Sequence, residues 1–79
     1  MIYMITTEHC PKCAAALQQM EAKNCDLSEE NFKKLVVPND ELGVDIATAI
    51  NASAAPAFAK DVDGTYVSIT LEQAIEELS

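Results

Sequence analysis

Cys10-Pro11-Lys12-Cys13 is the part of this sequence whose residue types and spacing can do chemistry. Two thiols with two residues between them can close a disulfide on themselves or trade one with a partner. Exchange needs a thiolate to attack and a second thiol near enough to resolve the mixed disulfide that results. A helix beginning at this motif supplies both. The first sulfur lies beside unpaired backbone N–H groups at the positive end of the helix dipole, which favours its thiolate near neutral pH. The second lies one turn further in and more buried. Cys10 is therefore expected to attack and Cys13 to resolve. Lys12 and His9 flank the nucleophile and each can add positive charge, while Glu8 acts in the opposite sense. An exposed loop lysine and a neutral histidine are the plainer readings of those two neighbours.

The elements that must position the motif follow from the surrounding pattern. Residues 2–6, Ile-Tyr-Met-Ile-Thr, suit a buried strand because they are apolar, aromatic or β-branched. Thr7-Glu8-His9 is then a short polar loop. Pro11 fits the first turn of a helix, where its missing N–H costs nothing, and Cys10 falls at the N-cap. Ala14, Leu17 and Met20-Glu21 carry that helix to about Lys23, with Asn24 as its stop. Residues 32–37 read as a second strand closed by Pro38. Asn39 or Asp40 can cap a second helix with apolar positions Leu42, Ile46, Ala49 and Ile50, although Gly43 and β-branched residues lower its propensity. Asn51 is its expected left-handed stop. Residues 57–60 and 65–69 form a hairpin about the turn Asp61-Val62-Asp63-Gly64, and Thr70-Leu71-Glu72-Gln73 is a capping box opening a last helix that ends near Leu78. The predicted order is β-α-β-α-β-β-α, an α/β domain with a four-stranded mixed sheet flanked by three helices.

The bulk properties are compatible with this small domain. The chain has 79 residues and is 49% hydrophobic, enough for one core. A chain of this size buries only about 60–65% of its unfolded surface, so modest stability is expected. Thirteen acids oppose five lysines, with no arginine, for a net charge of −8. Such a surface repels phosphate backbones and lacks the basic patch that anionic membranes attract, so neither nucleic acid nor membrane is expected as a partner. The acids either steer the chain to a basic partner or only keep it soluble. The apolar runs are too short to span a bilayer, and the start of the chain does not read as a signal peptide. The expected location is the cytoplasm, or the host cytoplasm for a viral chain.

An odd count of three cysteines does not suit a secreted disulfide scaffold. C-x-x-C is also half of many zinc sites, but only His9 and Cys25 are left as further ligands, and His9 adjoins Cys10 awkwardly for one tetrahedral ion. No metal is expected. Cys25, three to four helical turns from Cys10, reads as a small buried hydrophobe or spare thiol.

With the strand before the motif, the helix after it, and Ala54-Ala55-Pro56-Ala57-Phe58 opening the third strand, the chain resembles a glutaredoxin of the thioredoxin-like superfamily over nearly its whole length. The absence of tryptophan, the short length and the Cys-Pro-x-Cys form resemble short glutaredoxin-like proteins of phages and microbes more than thioredoxins. The resemblance implies a thioredoxin-like fold with a cis bond before Pro56, placed beside the two cysteines, and backbone pairing of Ala55 with a bound peptide or glutathione. Lys12, Ala55, Pro56 and Thr70 are then the substrate-contacting set. Val67-Ser68-Ile69-Thr70-Leu71 stands where the family usually carries two glycines, a polar residue and an acid, so Thr70 offers a hydroxyl without those neighbours. Thr7 and Glu8 stand where a basic residue is usual. The implied activity is dithiol–disulfide exchange by a monomeric electron carrier. It needs no resident cofactor, with glutathione as a co-substrate. Protein disulfides or glutathione mixed disulfides are the implied substrates, ribonucleotide reductase is one implied electron acceptor, and glutathione or a thioredoxin-type reductase is the implied reductant. The alternative within the family is a metal or iron–sulfur cluster binding protein.

Overall fold

The apolar run after Met1 forms β1 (Ile2–Thr7), an inner strand of the sheet in a computed structural model that describes residues 1–79. The chain continues through α1 (Pro11–Ala22), β2 (Phe32–Val37), α2 (Glu41–Ala49), β3 (Ala57–Val62), β4 (Thr65–Ile69) and α3 (Leu71–Leu78). The strand order is β2-β1-β3-β4. β1 pairs in parallel with β2, as a strand–helix–strand crossover requires, and antiparallel with β3, which forms a hairpin with β4. The expected mixed sheet and three helices are therefore present.

Period-two alternation divides β1 between two cores. Ile2 and Met4 join Phe32 and Phe58 beneath α1 and α3, with Met20, Ala74 and Leu78 from the helices. Ile5 joins Leu35, Ala59 and Ile46 of α2 on the opposite face. At the buried end of β1, the Thr6 hydroxyl donates to the Leu35 carbonyl at 3.3 Å, so its polar atom is paired.

Two helix faces are turned relative to the sequence expectation. In α1 the inward stripe is Cys13, Ala16, Leu17 and Met20, while Ala14 and Glu21 are exposed. In α2 it is Gly43, Ile46, Ala47 and Ile50, while Leu42 and Ala49 are exposed. Both observed stripes have the i, i+3, i+4, i+7 spacing of a single helix face. Gly43 is inward because α2 lies close on β2: a Cβ there would meet Val37 Cγ1 at 2.9 Å and Leu35 Cβ at 3.1 Å. The residue that lowers helix propensity thus permits the helix to dock.

The chain reversals are mostly those the side chains suggest. Asn24 and Asn51 are left-handed at φ 59° and 55°, where α1 and α2 end. Asp63 and Gly64 are also left-handed, at φ 52° and 81°, as a two-residue hairpin turn requires. The turn is tighter than expected, because Asp61 and Val62 extend β3. Asp40 stands at the N-cap of α2 but makes no side-chain cap bond; its Oδ2 instead accepts from the Val36 N–H at 2.8 Å, closing the end of edge strand β2. The Ala55–Pro56 bond is cis, and so is Val37–Pro38, for which the sequence reading carried no expectation.

Candidate functional site

The motif sits where β1 is converted into α1. After Thr7 the backbone turns at Glu8 and at His9, which is left-handed at φ 56°. Cys10 is then extended, at φ −102° and ψ 100°, and caps the helix; Pro11 occupies its first turn. The Cys13 N–H donates to Cys10 Sγ at 3.2 Å, so a sulfur takes the place usually filled by a hydroxyl or carboxylate oxygen. The Cys10 carbonyl accepts the first intrahelical bond, from Ala14 N at 3.2 Å. Pro11 has no N–H to add, and no acidic side chain lies in the first turn of α1.

Cys10 and Cys13 are joined in a disulfide, with their Cα atoms 5.2 Å apart. The two sulfurs differ in environment. Cys10 is half-buried, whereas Cys13 is 5% exposed and belongs to the core beneath α1. That asymmetry follows from the helix: position 10 is its cap and position 13 begins its inward stripe. Cys25 remains a free, half-buried thiol packed against the same core, with its Sγ 3.9 Å from the Ile75 carbonyl. Burial pushes the Cys25 thiol up from its ordinary range, disfavouring the thiolate.

A cleft of about 290 Å³ opens beside the disulfide on the α1 and β2 side. Thr6, Glu8, Cys10, Cys13, Lys34 and Val36 line it. Lys34 reaches this position because it pairs with Met4 in the β1–β2 register and so shares the sheet face that carries α1. The sequence reading placed β2 correctly but assigned nothing to Lys34. Alternation within β2 and its parallel pairing with β1 are the signals that could have found it.

The other expected contacts are distributed around the same end of the sheet. Ile5 pairs with Ala57, so Pro56 precedes the start of β3 beside the end of β1, from which Cys10 is three residues further on. Ala55 and Cys10 both pack against the larger core. Pro56 and Thr70 line a shared cavity of about 400 Å³ with Phe58 and Ile69. Ala55 lines a smaller one, of about 200 Å³, with Ile5, Val37 and Ala47. Neither cavity includes a cysteine, and Lys12 is exposed and lines none. The Thr70 hydroxyl is engaged as an acceptor from the Gln73 N–H at 3.1 Å. No three His, Cys, Asp or Glu side chains converge in an arrangement that could hold a metal ion. No helix is long and apolar enough to cross a membrane.

The site can form and break one internal disulfide between a partly accessible sulfur and a buried one. No protein-family model matches the chain, and neither a curated protein nor a solved structure matches it.

Proposed function

We propose that this chain is a dithiol–disulfide oxidoreductase of the glutaredoxin kind, an electron carrier that reduces protein disulfides or glutathione mixed disulfides. One observation carries the reading: the disulfide partners lie at the start of α1, with Cys10 at the cap and accessible and Cys13 one turn inside and buried. In the dithiol form, the Cys13 N–H and the helix dipole favour a thiolate at Cys10. That thiolate attacks one sulfur of the substrate disulfide, whose other sulfur leaves as a thiolate and takes a proton. Cys13 loses its proton and attacks Cys10 Sγ, the mixed disulfide breaks, and the second substrate thiol departs. Two electrons have then passed from Cys10 and Cys13 to the substrate. Glutathione or a thioredoxin-type reductase returns them.

The β-α-β-α-β-β-α order, with Pro56 at the motif's end of the sheet, supports a thioredoxin-like arrangement of the glutaredoxin type. Ala55, Pro56 and Thr70, with Lys12 at the helix start, are the proposed contacts for a peptide or glutathione. Ribonucleotide reductase is a proposed electron acceptor.

The test is redox titration of the wild-type chain and Cys10→Ser against a dithiol buffer, combined with reduction of a small-molecule disulfide. The wild type is expected to show one two-electron couple, and Cys10→Ser no couple and exchange reduced to background. Failure of Cys10 and Cys13 to form an internal disulfide in the titrated protein would overturn the reading. Offering the oxidised chain glutathione or a thioredoxin-type reductase then identifies the reductant.

A further inference from the structure

We propose that Lys34 is the positioning cation for the resolving thiol: its ammonium, from the neighbouring strand, favours the Cys13 thiolate and so shortens the life of the mixed disulfide. This inference rests on the dithiol reading above. Its starting point is the unequal support for the two sulfurs. Cys10 Sγ accepts a backbone N–H, whereas Cys13 is in the core and receives no such bond. Burial raises the free energy of a thiolate, so a buried resolving cysteine without compensation would hold its proton and react slowly.

The charges around Cys13 are few. The core it joins is apolar on the β1, β3 and α3 sides, through Met4, Phe58, Ala74 and Leu78. Cys10 and Cys25 are the other titratable groups packed against that core, and burial favours the neutral thiol at Cys25. The cleft beside Cys13 contains one cation, Lys34 of β2, and one anion, Glu8 of the loop before α1. Glu8 accepts a hydrogen bond from Asn39 Nδ2 at 3.0 Å, which draws its carboxylate towards the β2–α2 connection. Lys34 forms no ion pair; the salt bridge of this chain is Lys60–Glu77. Lys12 and His9 are exposed beside Cys10, at the outer end of the motif. Lys34 is exposed too and also lines a second cavity with Glu29 and Lys33, but it is the cation that shares the cleft with Cys13.

Its action falls on one step. In the mixed disulfide, Cys13 releases a proton to solvent through the cleft, and its thiolate attacks Cys10 Sγ. The Cys10–Cys13 bond forms as the bond from Cys10 to the partner sulfur breaks. That sulfur leaves as a thiolate and takes up a proton. An ammonium beside Cys13 lowers the cost of the first part without touching the partner. A plain edge-strand lysine, present to discourage strand pairing, would leave this step unaffected.

An aromatic disulfide that releases a coloured thiol separates the steps: the first equivalent reports attack by Cys10, the second resolution by Cys13. Lys34→Met, Lys34→Arg and Glu8→Gln are compared with the wild type, and each cysteine is titrated through its own 13Cβ shift. In Lys34→Met the Cys13 midpoint is expected to rise by about one unit, the lower end of the effect of a nearby charge. The second phase should slow about three- to fourfold, less than tenfold because a more basic thiolate is intrinsically more nucleophilic. Lys34→Arg should restore both, and Glu8→Gln should quicken the second phase. If Lys34→Met leaves the Cys13 midpoint and the second phase as in the wild type, the inference is overturned and the dithiol reading stands. Absence of any second phase in the wild type overturns the dithiol reading itself. Should Lys34→Met fail to fold, Lys34→Gln is measured in its place, and a Cys13 midpoint and second phase unchanged from the wild type overturn the inference.

Discussion

The starts of α1 and α3 solve the same problem in opposite ways. Each must deal with backbone N–H groups that have no partner within the helix. At α3 the solution is closed: Gln73 N donates to Thr70 Oγ1 at 3.1 Å, and Thr70 N donates to Gln73 Oε1 at 2.8 Å. Glu72 adds a negative charge to its first turn, where the dipole welcomes one. At α1 the cap is a sulfur, a weak acceptor; the first turn has no acid, and Lys12 adds a cation where the dipole disfavours it. The α3 start is arranged for stability. The α1 start leaves its electrostatic demand to be met by an anion, and the group placed there is the sulfur that the proposed function assigns as the attacking thiolate.

The sharpest way to break this comparison is to make α1 resemble α3. Lys12→Glu puts an acid in the first turn of α1. The dipole interaction then favours the helix, by about 0.3–1 kcal/mol for an exposed site. The same carboxylate disfavours a thiolate at Cys10. Titration of the reduced protein by thiolate absorbance is expected to show the Cys10 midpoint raised by about one unit. Alkylation at pH values below that midpoint should slow about threefold, after allowance for the gain in intrinsic nucleophilicity. A faster alkylation, or a midpoint unmoved by the reversal of charge, would mean that the α1 start does not act on its sulfur as argued.

The converse substitution opens α3. Thr70→Ala removes one bond of the capping box and leaves Gln73 without its reciprocal partner. A loss of about 1 kcal/mol is expected, the usual worth of an N-cap hydroxyl. For a domain of this size that corresponds to a fall in Tm of about 4–8 °C. Thr70→Ser, which retains the oxygen, should lose much less. Thermal unfolding of the reduced proteins, so that the disulfide does not mask the change, distinguishes the two. Equal Tm values for Thr70→Ala and the wild type would show that the box contributes nothing and that the two helix starts differ in appearance only.

These helix starts were the most legible parts of the chain. Cys10 before Pro11 and Thr70 three residues before Gln73 are local signals, and the bonds they imply span only a few residues. The left-handed Asn24 and Asn51 were legible for the same reason. Placement across elements was less so. Of the α2 positions expected to face inward, Ile46 and Ile50 do, but Leu42 and Ala49 are exposed, because apolar character alone was counted; Gly43 faces inward because of a close approach to β2 that only the docked helix reveals. Asp40 has a cap residue's composition, but its carboxylate is claimed by the Val36 N–H across a turn. Lys34 was missed because its position beside Cys13 depends on strand register, which a single strand pattern does not fix.

The far end of α3 supplies a smaller, pH-dependent test of the same contrast between closed and open helix ends. There the Leu78 carbonyl accepts from the Asp26 N–H at 2.7 Å, so the connection between α1 and β2 closes the last turn of α3. The Asp26 carboxylate holds that connection by accepting from Ser28 N at 3.1 Å and Asn31 Nδ2 at 2.7 Å. Hydrogen bonds from Ser28, backbone first, hold its carboxyl below the ordinary aspartate range; desolvation opposes them, and Asn31 adds a smaller lowering effect. A depressed folded-state value means that the unfolded chain binds the proton more readily. The contribution is therefore present above the ordinary aspartate value and is lost as pH falls through the depressed one. Asp26→Ala should lower Tm at neutral pH, and the gap from the wild type should narrow on acidification through that window. The carboxylate is exposed, so the gap should be smaller than that of Thr70→Ala. Thermal unfolding of both proteins from neutral to acid pH measures it. A gap that persisted unchanged below the window would assign the loss to the alanine's backbone preference, and the carboxylate would then have no part in closing α3.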